Sequence, residues 1–115
     1  MTRVVNILKT NCFDGKGNLL SGYVYIGRRN RRYNLSQSFF HNPYSLRQFD
    51  NDRAACLDVF RGMIEMRFGF SNFFRRRLLA LDNKILVCWC KPELCHGDVL
   101  IEYLEKLKER NNARG

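Results

Sequence analysis

The sequence lacks the features that mark membrane and secreted proteins. No apolar run approaches the roughly 20 residues of a membrane-spanning helix. The apolar run at the start is short, and Asn6 and Lys9 interrupt it, which argues against a signal peptide. There is no internal repeat. We therefore expect one intracellular domain, cytoplasmic or nuclear, that is not secreted and has no membrane partner.

The sequence also lacks the cysteine pattern of a disulfide-bonded protein. The chain has five cysteines, an odd number, and three of them fall between residues 88 and 95. This arrangement does not resemble a disulfide framework. In a reducing compartment, clustered thiols indicate metal binding or reactivity instead.

Acidic residues are scarce relative to basic ones. Eleven Asp and Glu face twenty Lys and Arg, which gives a formal net charge of +9. Such a balance favours a polyanionic partner, most simply DNA or RNA, or a smaller nucleotide or other phosphate-bearing molecule.

The apolar pattern predicts a mixed α/β domain. Short strands are expected at 3–9 and 22–28, and the continuous apolar run at 84–89 suits a central strand buried on both faces. Helical spacing follows Asp50 and Asp52, either of which can cap the first helix. We expect Gly69 to end that helix.

The remaining elements complete the order. Ser71 is expected to cap a second helix, and the last helix should begin near Cys95 or His96. The predicted fold is a single small α/β domain over residues 1–109, in the order β-β-α-α-β-α, with a short mixed or parallel sheet flanked by helices. Residues 110–115 are expected to form a polar tail. The segment 29–49 is a long loop, which we expect to fold over a site.

The stretch CWCKPELCHGDVL, residues 88–100, carries the candidate site. Ligand sites in α/β sheets favour the carboxyl ends of strands, where Cys90 is expected. The next helix would begin at Cys95, and its N-terminus should lower the pKa of the Cys95 thiol. The free N–H groups of this helix near Gly97 and Asp98 would suit an anion. Asp98 equally suits a capping role in that first turn.

Two alternatives remain for the same residues. In an enzyme acting on a nucleotide or nucleic acid, Cys95 or Cys90 would be the nucleophile, His96 the acid/base and Asp98 an orienting or general-base group. A structural or interaction protein with a redox-sensitive or zinc knuckle would use Cys88, Cys90, Cys95 and His96 as ligands. The spacing is unlike the usual zinc pairs, so we expect no cofactor. On the strand, Cys88 and Cys90 should share one face, with Trp89 on the other under a helix.

Two basic stretches are candidates for contact with nucleic acid. Arginines with nearby aromatic rings suit phosphate contact combined with base stacking. The candidates are Arg29, Arg31, Arg32, Tyr33, Arg75, Arg76 and Arg77. The second block is equally typical of a solvated helix face. A cluster of Phe residues between 68 and 74 is compatible with a core or with a homo-oligomer interface.

Three stretches together resemble a known family. YIGR (25–28), SFFHNPYSL (38–46) and CWCKPELCHGDVL are similar to the pattern of the family called domain of unknown function 4326, whose members occur in bacteria, phages and large DNA viruses. Tyr44 and His41 depart mildly from that pattern. The resemblance implies that Gly27, Arg28, Asn42 and Pro43 converge on the turn between Cys90 and Asp98.

We therefore expect a nucleic-acid- or nucleotide-binding domain with an anion pocket at this turn. Its ligand-binding residues would be Gly27, Arg28, Asn42, Gly97 and Asp98. Arg28 and the helix N-terminus would supply the positive charge.

Overall fold

A computed structural model describes residues 1–114, with the side chain of Arg114 excepted. Within this range the chain forms three strands and three α-helices in the predicted order, which confirms the α/β class. The elements are β1 (Arg3–Asn6), β2 (Tyr23–Tyr25), α1 (Arg53–Phe70), α2 (Asn72–Leu79), β3 (Ile85–Cys88) and α3 (His96–Arg114). A short 3-10 helix, Leu46–Phe49, interrupts the long loop. No helix of the described range is long and apolar enough to cross a membrane.

The sheet is parallel, in the order β1-β3-β2. Val87 of β3 pairs with Val5 on one side and with Tyr25 on the other, so β3 is the central strand that its continuous apolar run predicted. Because the strands are parallel, their carboxyl ends meet at one edge of the sheet. That edge is where ligands bind in this class of fold.

The two faces of the sheet are covered differently. Helical residues cover one face and enclose the larger core, which includes the fully buried Phe60, Leu78 and Leu104. The other face packs against loop residues such as Cys12 and Leu35. Trp89 lies on this loop-covered face, so its expected place under a helix is wrong, although the predicted alternation with Cys88 and Cys90 holds.

Polar caps set the helix ends. The Asp52 carboxylate accepts a hydrogen bond from the backbone N–H of Ala55 at 3.1 Å and caps α1. Ser71 ends α1 and caps α2 through the N–H of Phe74 at 3.0 Å. Gly69 does not break α1, which continues to Phe70.

The C-terminal helix is longer than the sequence indicated. The apolar stripe ends at Leu107, but α3 continues through Arg114, so residues 110–114 are helical and do not form the expected tail. Gly115, the last residue of that tail, lies outside the described residues.

Candidate functional site

A cavity of about 340 Å³ opens at the carboxyl edge of the sheet. Its walls come from the ends of β2 and β3, from the loop between β2 and α1, and from the beginnings of α1 and α3. The lining residues are Tyr25, Gly27, Arg28, Arg29, Asn30, Asn42, Tyr44, Ser45, Leu46, Arg53, Cys56, Leu57, Trp89, Cys90, Leu94 and His96. The long loop therefore folds over this edge, as its length predicted.

Arg28 and Asn42 meet at the cavity. The Nε of Arg28 donates to the backbone carbonyl of Asn42 at 3.0 Å. The Asn42 side chain accepts from the N–H of Tyr44 at 2.9 Å and donates toward the sulfur of Cys56 at 3.7 Å. Asn42 thus fixes the loop against α1. The family pattern implied that four residues converge on the turn between Cys90 and Asp98. Gly27, Arg28 and Asn42 line the cavity together with Cys90, whereas Pro43 is not among the lining residues.

Gly27 makes room for the ring of Tyr25. A Cβ at Gly27 would lie 2.5 Å from the Tyr25 hydroxyl oxygen and 2.6 Å from the ring carbon that carries it. That hydroxyl donates to the carbonyl of Arg28 at 2.6 Å and accepts from the indole N–H of Trp89 at 2.7 Å. These bonds tie the ends of β2 and β3 together and fix two aromatic walls of the cavity.

Positive charge reaches the cavity from three guanidinium groups, those of Arg28, Arg29 and Arg53. No Asp or Glu stands among the lining residues that the structure describes. None of the ion pairs found between residues 1 and 114 includes these arginines. Arg53 is held by the carbonyl of Leu94 at 3.5 Å, which leaves its charge uncompensated by a carboxylate.

Sequence reasoning missed Arg53. A signal was present, because Asp52 was recognised as a cap and Arg53 is the first residue of the helix that follows it. The loop from β2 delivers this helix end to the carboxyl edge of the sheet. Tyr25 and Trp89 were missed as cavity walls because each reads as an ordinary strand residue.

The N-terminus of α3 is already occupied, which corrects the expected anion site. The N–H of Gly97 donates to the sulfur of Cys95 at 3.4 Å, and the N–H of Asp98 donates to the carbonyl of Cys95 at 2.9 Å. The Asp98 carboxylate accepts from the N–H of Cys95 at 3.3 Å and pairs with the Lys91 ammonium at 2.6 Å. Asp98 therefore has the capping role, and neither Gly97 nor Asp98 lines the cavity.

The thiols of Cys88, Cys90 and Cys95 lie close enough to one another to shift their pKa values. Hydrogen bonds from the thiols of Cys90 and then Cys95, together with the backbone N–H groups of Lys91 and Cys90, lower the pKa of Cys88. The pKa values of Cys90 and Cys95 are raised, chiefly because each is hydrogen-bonded to the Cys88 sulfur. Cys88 and Cys95 are buried, whereas Cys90 is half-buried and lines the cavity. The accessible thiol is thus one that retains its proton.

His96 is a neutral, oriented imidazole. Burial lowers its pKa below the ordinary 6.5. Its Nε2 lies 2.7 Å from the carbonyl of Ile26, and because a carbonyl only accepts, Nε2 carries the proton. Nδ1 is left as an acceptor, 3.8 Å from the Cys95 sulfur. Asp98 does not contact this ring, so the predicted trio of Cys, His and Asp is not assembled.

The zinc alternative finds no support in this geometry. In the part of the chain that the structure describes, no group of three or more His, Cys, Asp and Glu side chains could hold a metal ion. The thiols of Cys88, Cys90 and Cys95 are free, and the Nε2 of His96 donates to the backbone carbonyl of Ile26.

The basic stretches separate in space. Arg29 lines the cavity, but Arg31 and Arg32 are exposed outside it. Tyr33 packs between Phe13 and Trp89, with ring centroids 6.1 and 5.4 Å away, so it belongs to the smaller core. Its ring is not free for base stacking. The block Arg75–Arg77 lies on α2, away from the cavity.

Comparison with known proteins agrees with the motif. The family model described as domain of unknown function (DUF4326) matches residues 11–106, most of the chain. The chain belongs to the DUF4326 family. A relative named as an uncharacterised protein of Acanthamoeba polyphaga mimivirus is 31% identical over 97 residues, which cover 76% of this chain and 69% of that protein. No solved structure matches.

The match extends over the whole cavity. Residues 11–106 contain every lining residue, from Tyr25 to His96, as well as the thiol cluster. A relative with a viral source also agrees with the viral setting that the DUF4326 pattern implied.

Proposed function

We propose that this protein binds the phosphate-bearing end of a nucleotide or of a nucleic-acid strand in the cavity at the carboxyl edge of the sheet. Arg28, Arg29 and Arg53 bind the phosphate, and the rings of Tyr44 and Trp89 contact the base or sugar. The site proposed here is formed by arginine side chains and differs in that respect from the helix N-terminus that the sequence suggested.

One observation carries this proposal. The lining residues include three guanidinium groups and several aromatic rings but, among residues 1–114, no carboxylate. Charge-assisted hydrogen bonds from Arg suit phosphate oxygens, and aromatic faces suit bases of any sequence. The volume of about 340 Å³ is at the lower end of the range for small-molecule sites, which fits one nucleotide unit.

Net charge favours the same class of ligand. The formal charge of +9 attracts polyanions from a distance, and the uncompensated arginines supply the local contact. DNA and RNA are therefore the proposed macromolecular partners, with recognition of an unpaired terminal unit.

We expect Arg53→Ala to weaken binding of ribonucleoside 5′-monophosphates about tenfold or more. The estimate follows from the 1.5–3 kcal/mol typical of a hydrogen bond to a charged group. Isothermal titration calorimetry with the four monophosphates, and with the corresponding nucleosides, measures it. Wild-type protein should prefer the monophosphates, because the guanidinium groups act on the phosphate.

Arg67→Ala is the matched control. Arg67 lies on the same helix, α1, is exposed, and does not line the cavity. It should bind like wild type. Equal binding of nucleosides and monophosphates, or an Arg53→Ala variant as tight as wild type, would contradict the proposal.

The enzyme alternative depends on an activated thiol, and alkylation separates it from simple binding. Cys90 is expected to label first among the five cysteines with iodoacetamide, because it alone of the clustered thiols lines the cavity. Its raised pKa should make that labelling slow at pH 7 and faster as the pH approaches 9 and above. Mass spectrometry of timed digests identifies the labelled residue, with Cys90→Ser as control.

The opposite result would favour catalysis. Rapid labelling of Cys90 at neutral pH, with protection by a nucleotide, would indicate a thiolate poised for nucleophilic attack beside His96.

A further inference from the structure

A second basic site lies between α2 and the C-terminal part of α3. It is a groove of about 290 Å³, here called the α2–α3 groove. Its polar lining consists of Asn72, Arg75, Arg76, Arg110 and Asn111. Leu79 and Leu107 complete it. None of these residues lines the cavity at the carboxyl edge.

The charge of the α2–α3 groove is uncompensated. No Asp or Glu belongs to its lining, and the ion pairs of the described residues leave out Arg75, Arg76 and Arg110. Arg75 donates to the carbonyl of Phe68 and to the side-chain oxygen of Asn72, so neutral acceptors fix its position. A fixed, unpaired guanidinium loses little conformational freedom when it meets a phosphate.

Two exposed phenylalanines near the start of α2 lie outside the lining of the α2–α3 groove. Phe70 is 89% exposed and Phe73 is 54% exposed. Arg77 lies 4.6 Å from the ring centroid of Phe39 and 5.9 Å from that of Phe73. Arginine beside open aromatic faces is the combination that binds single strands, through phosphate contact and base stacking.

The distance between the two sites follows from α3. His96 lines the cavity and Arg110 lines the α2–α3 groove, and both are on this helix. At about 1.5 Å per residue, the fourteen steps from His96 to Arg110 separate the sites by roughly 21 Å along the axis. A stacked strand advances about 3.4 Å per nucleotide along its axis, so roughly six phosphate steps bridge this distance, and a more extended strand needs fewer.

We propose that the α2–α3 groove is a second phosphate-binding site, which holds the backbone of a single-stranded nucleic acid whose terminal unit occupies the cavity. This inference rests on the proposed function for the location of the strand end. It adds a defined footprint, because a dinucleotide is too short to engage both sites, whereas a stacked strand of about seven nucleotides is long enough.

Oligonucleotide length tests the footprint. Fluorescence anisotropy with 5′-phosphorylated oligothymidylates of 2, 4, 7, 10 and 14 nucleotides gives affinity against length. Wild-type affinity should rise at least tenfold between 2 and 10 nucleotides, because only the longer strand reaches the second site. The triple variant Arg75→Ala/Arg76→Ala/Arg110→Ala should lose that rise and still bind the dinucleotide like wild type.

Salt dependence gives a second readout. Each single-strand phosphate contact contributes about 0.7 to the slope of log K against log salt, so the triple variant should lower the slope by about 2 with the 10-mer. The matched control, Arg3→Ala/Lys16→Ala/Arg67→Ala, removes equal charge from exposed positions outside both sites. It should retain the step in affinity with length.

Each failure has its own signature. A wild-type protein that binds the 10-mer no better than the dinucleotide would overturn the groove while leaving the cavity supported. Loss of dinucleotide binding in Arg53→Ala with an unchanged length step would overturn neither site. If the triple variant and the control lost equal affinity for the 10-mer, the loss would reflect net charge alone, and the groove would be overturned as a binding site. Because Arg75 supports the end of α1, Arg76→Ala/Arg110→Ala repeats the test with that support intact.

Discussion

Phe60→Ala should lower the free energy of unfolding by about 3–5 kcal/mol, a large share of the 5–15 kcal/mol typical of a domain. Phe60 is fully buried on α1, and its ring meets that of His96 edge-on at a centroid distance of 5.4 Å. The substitution removes apolar burial and leaves a void in the core that joins the helices to the site. Urea denaturation measures the loss as a lower midpoint with an unchanged slope.

Val59→Ala is the control for this prediction. Val59 precedes Phe60 on the same helix but is 38% exposed and faces away from the core. Its loss should change stability by about 0.5 kcal/mol or less. A Phe60→Ala variant within about 1 kcal/mol of wild type would mean that α1 does not pack on α3 in the manner described. The placement of His96 and Arg53 would then be wrong as well.

The order of elements was predictable because its signals are local. The apolar run 84–89, the cap at Asp52 and the cap at Ser71 each depend on neighbours within a few residues. The parallel arrangement of the strands was left open. It depends on the long connections that place β3 between β1 and β2, and no short segment encodes that pairing.

Local rules failed where tertiary packing overrode them. A glycine in a helix costs about 1 kcal/mol relative to Ala, too little to end α1 at Gly69 when Phe60 and Ile64 anchor the helix in the core. The end of α3 was placed too early for a related reason. The apolar stripe stops at Leu107, but charged and polar residues continue the helix in solvent.

The residues predicted for the site separate into those that line the cavity and those that do not. Sequence alone identified the carboxyl edge, Arg28, Asn42 and Cys90, and these do line one cavity. It could not tell that the sulfur of Cys95 and the carboxylate of Asp98 would satisfy the N-terminus of α3 themselves. A helix end is free for an anion only when its own first-turn side chains leave it so.

This difference changes which groups are proposed to bind the anion. In the site that the sequence suggested, helix N–H groups would bind an anion at the Cys95 turn. In the proposed site, guanidinium groups that line the cavity would bind it. Arginine contacts are reached from solvent and respond to salt, so binding at this cavity should be more salt-sensitive than binding at a buried helix end.

Gly97→Val should lower the free energy of unfolding by about 3 kcal/mol, and this result separates a packing glycine from a ligand-contacting one. A Cβ at Gly97 would lie 2.8 Å from Ile26 Cδ1, 2.8 Å from Val4 Cγ2 and 3.1 Å from Val4 Cγ1. The start of α3 is thus pressed onto β1 and the end of β2. The γ-methyl groups of Val would add further overlap with Val4, whose branched side chain moves little.

Gly62→Val is the matched control, since Gly62 is also helical and a Cβ there meets nothing within 4 Å. It should be neutral or stabilising, because Val has the higher helix propensity. Gly97→Ala tests whether Gly97 contributes to ligand binding. Its overlap is smaller, so enough protein should stay folded for calorimetry, and it should bind monophosphates like wild type because Gly97 lies outside the cavity. Suppose instead that Gly97→Ala has wild-type stability but no longer binds monophosphates. The anion would then bind at the N-terminus of α3, and the proposed role of Arg53 would be wrong.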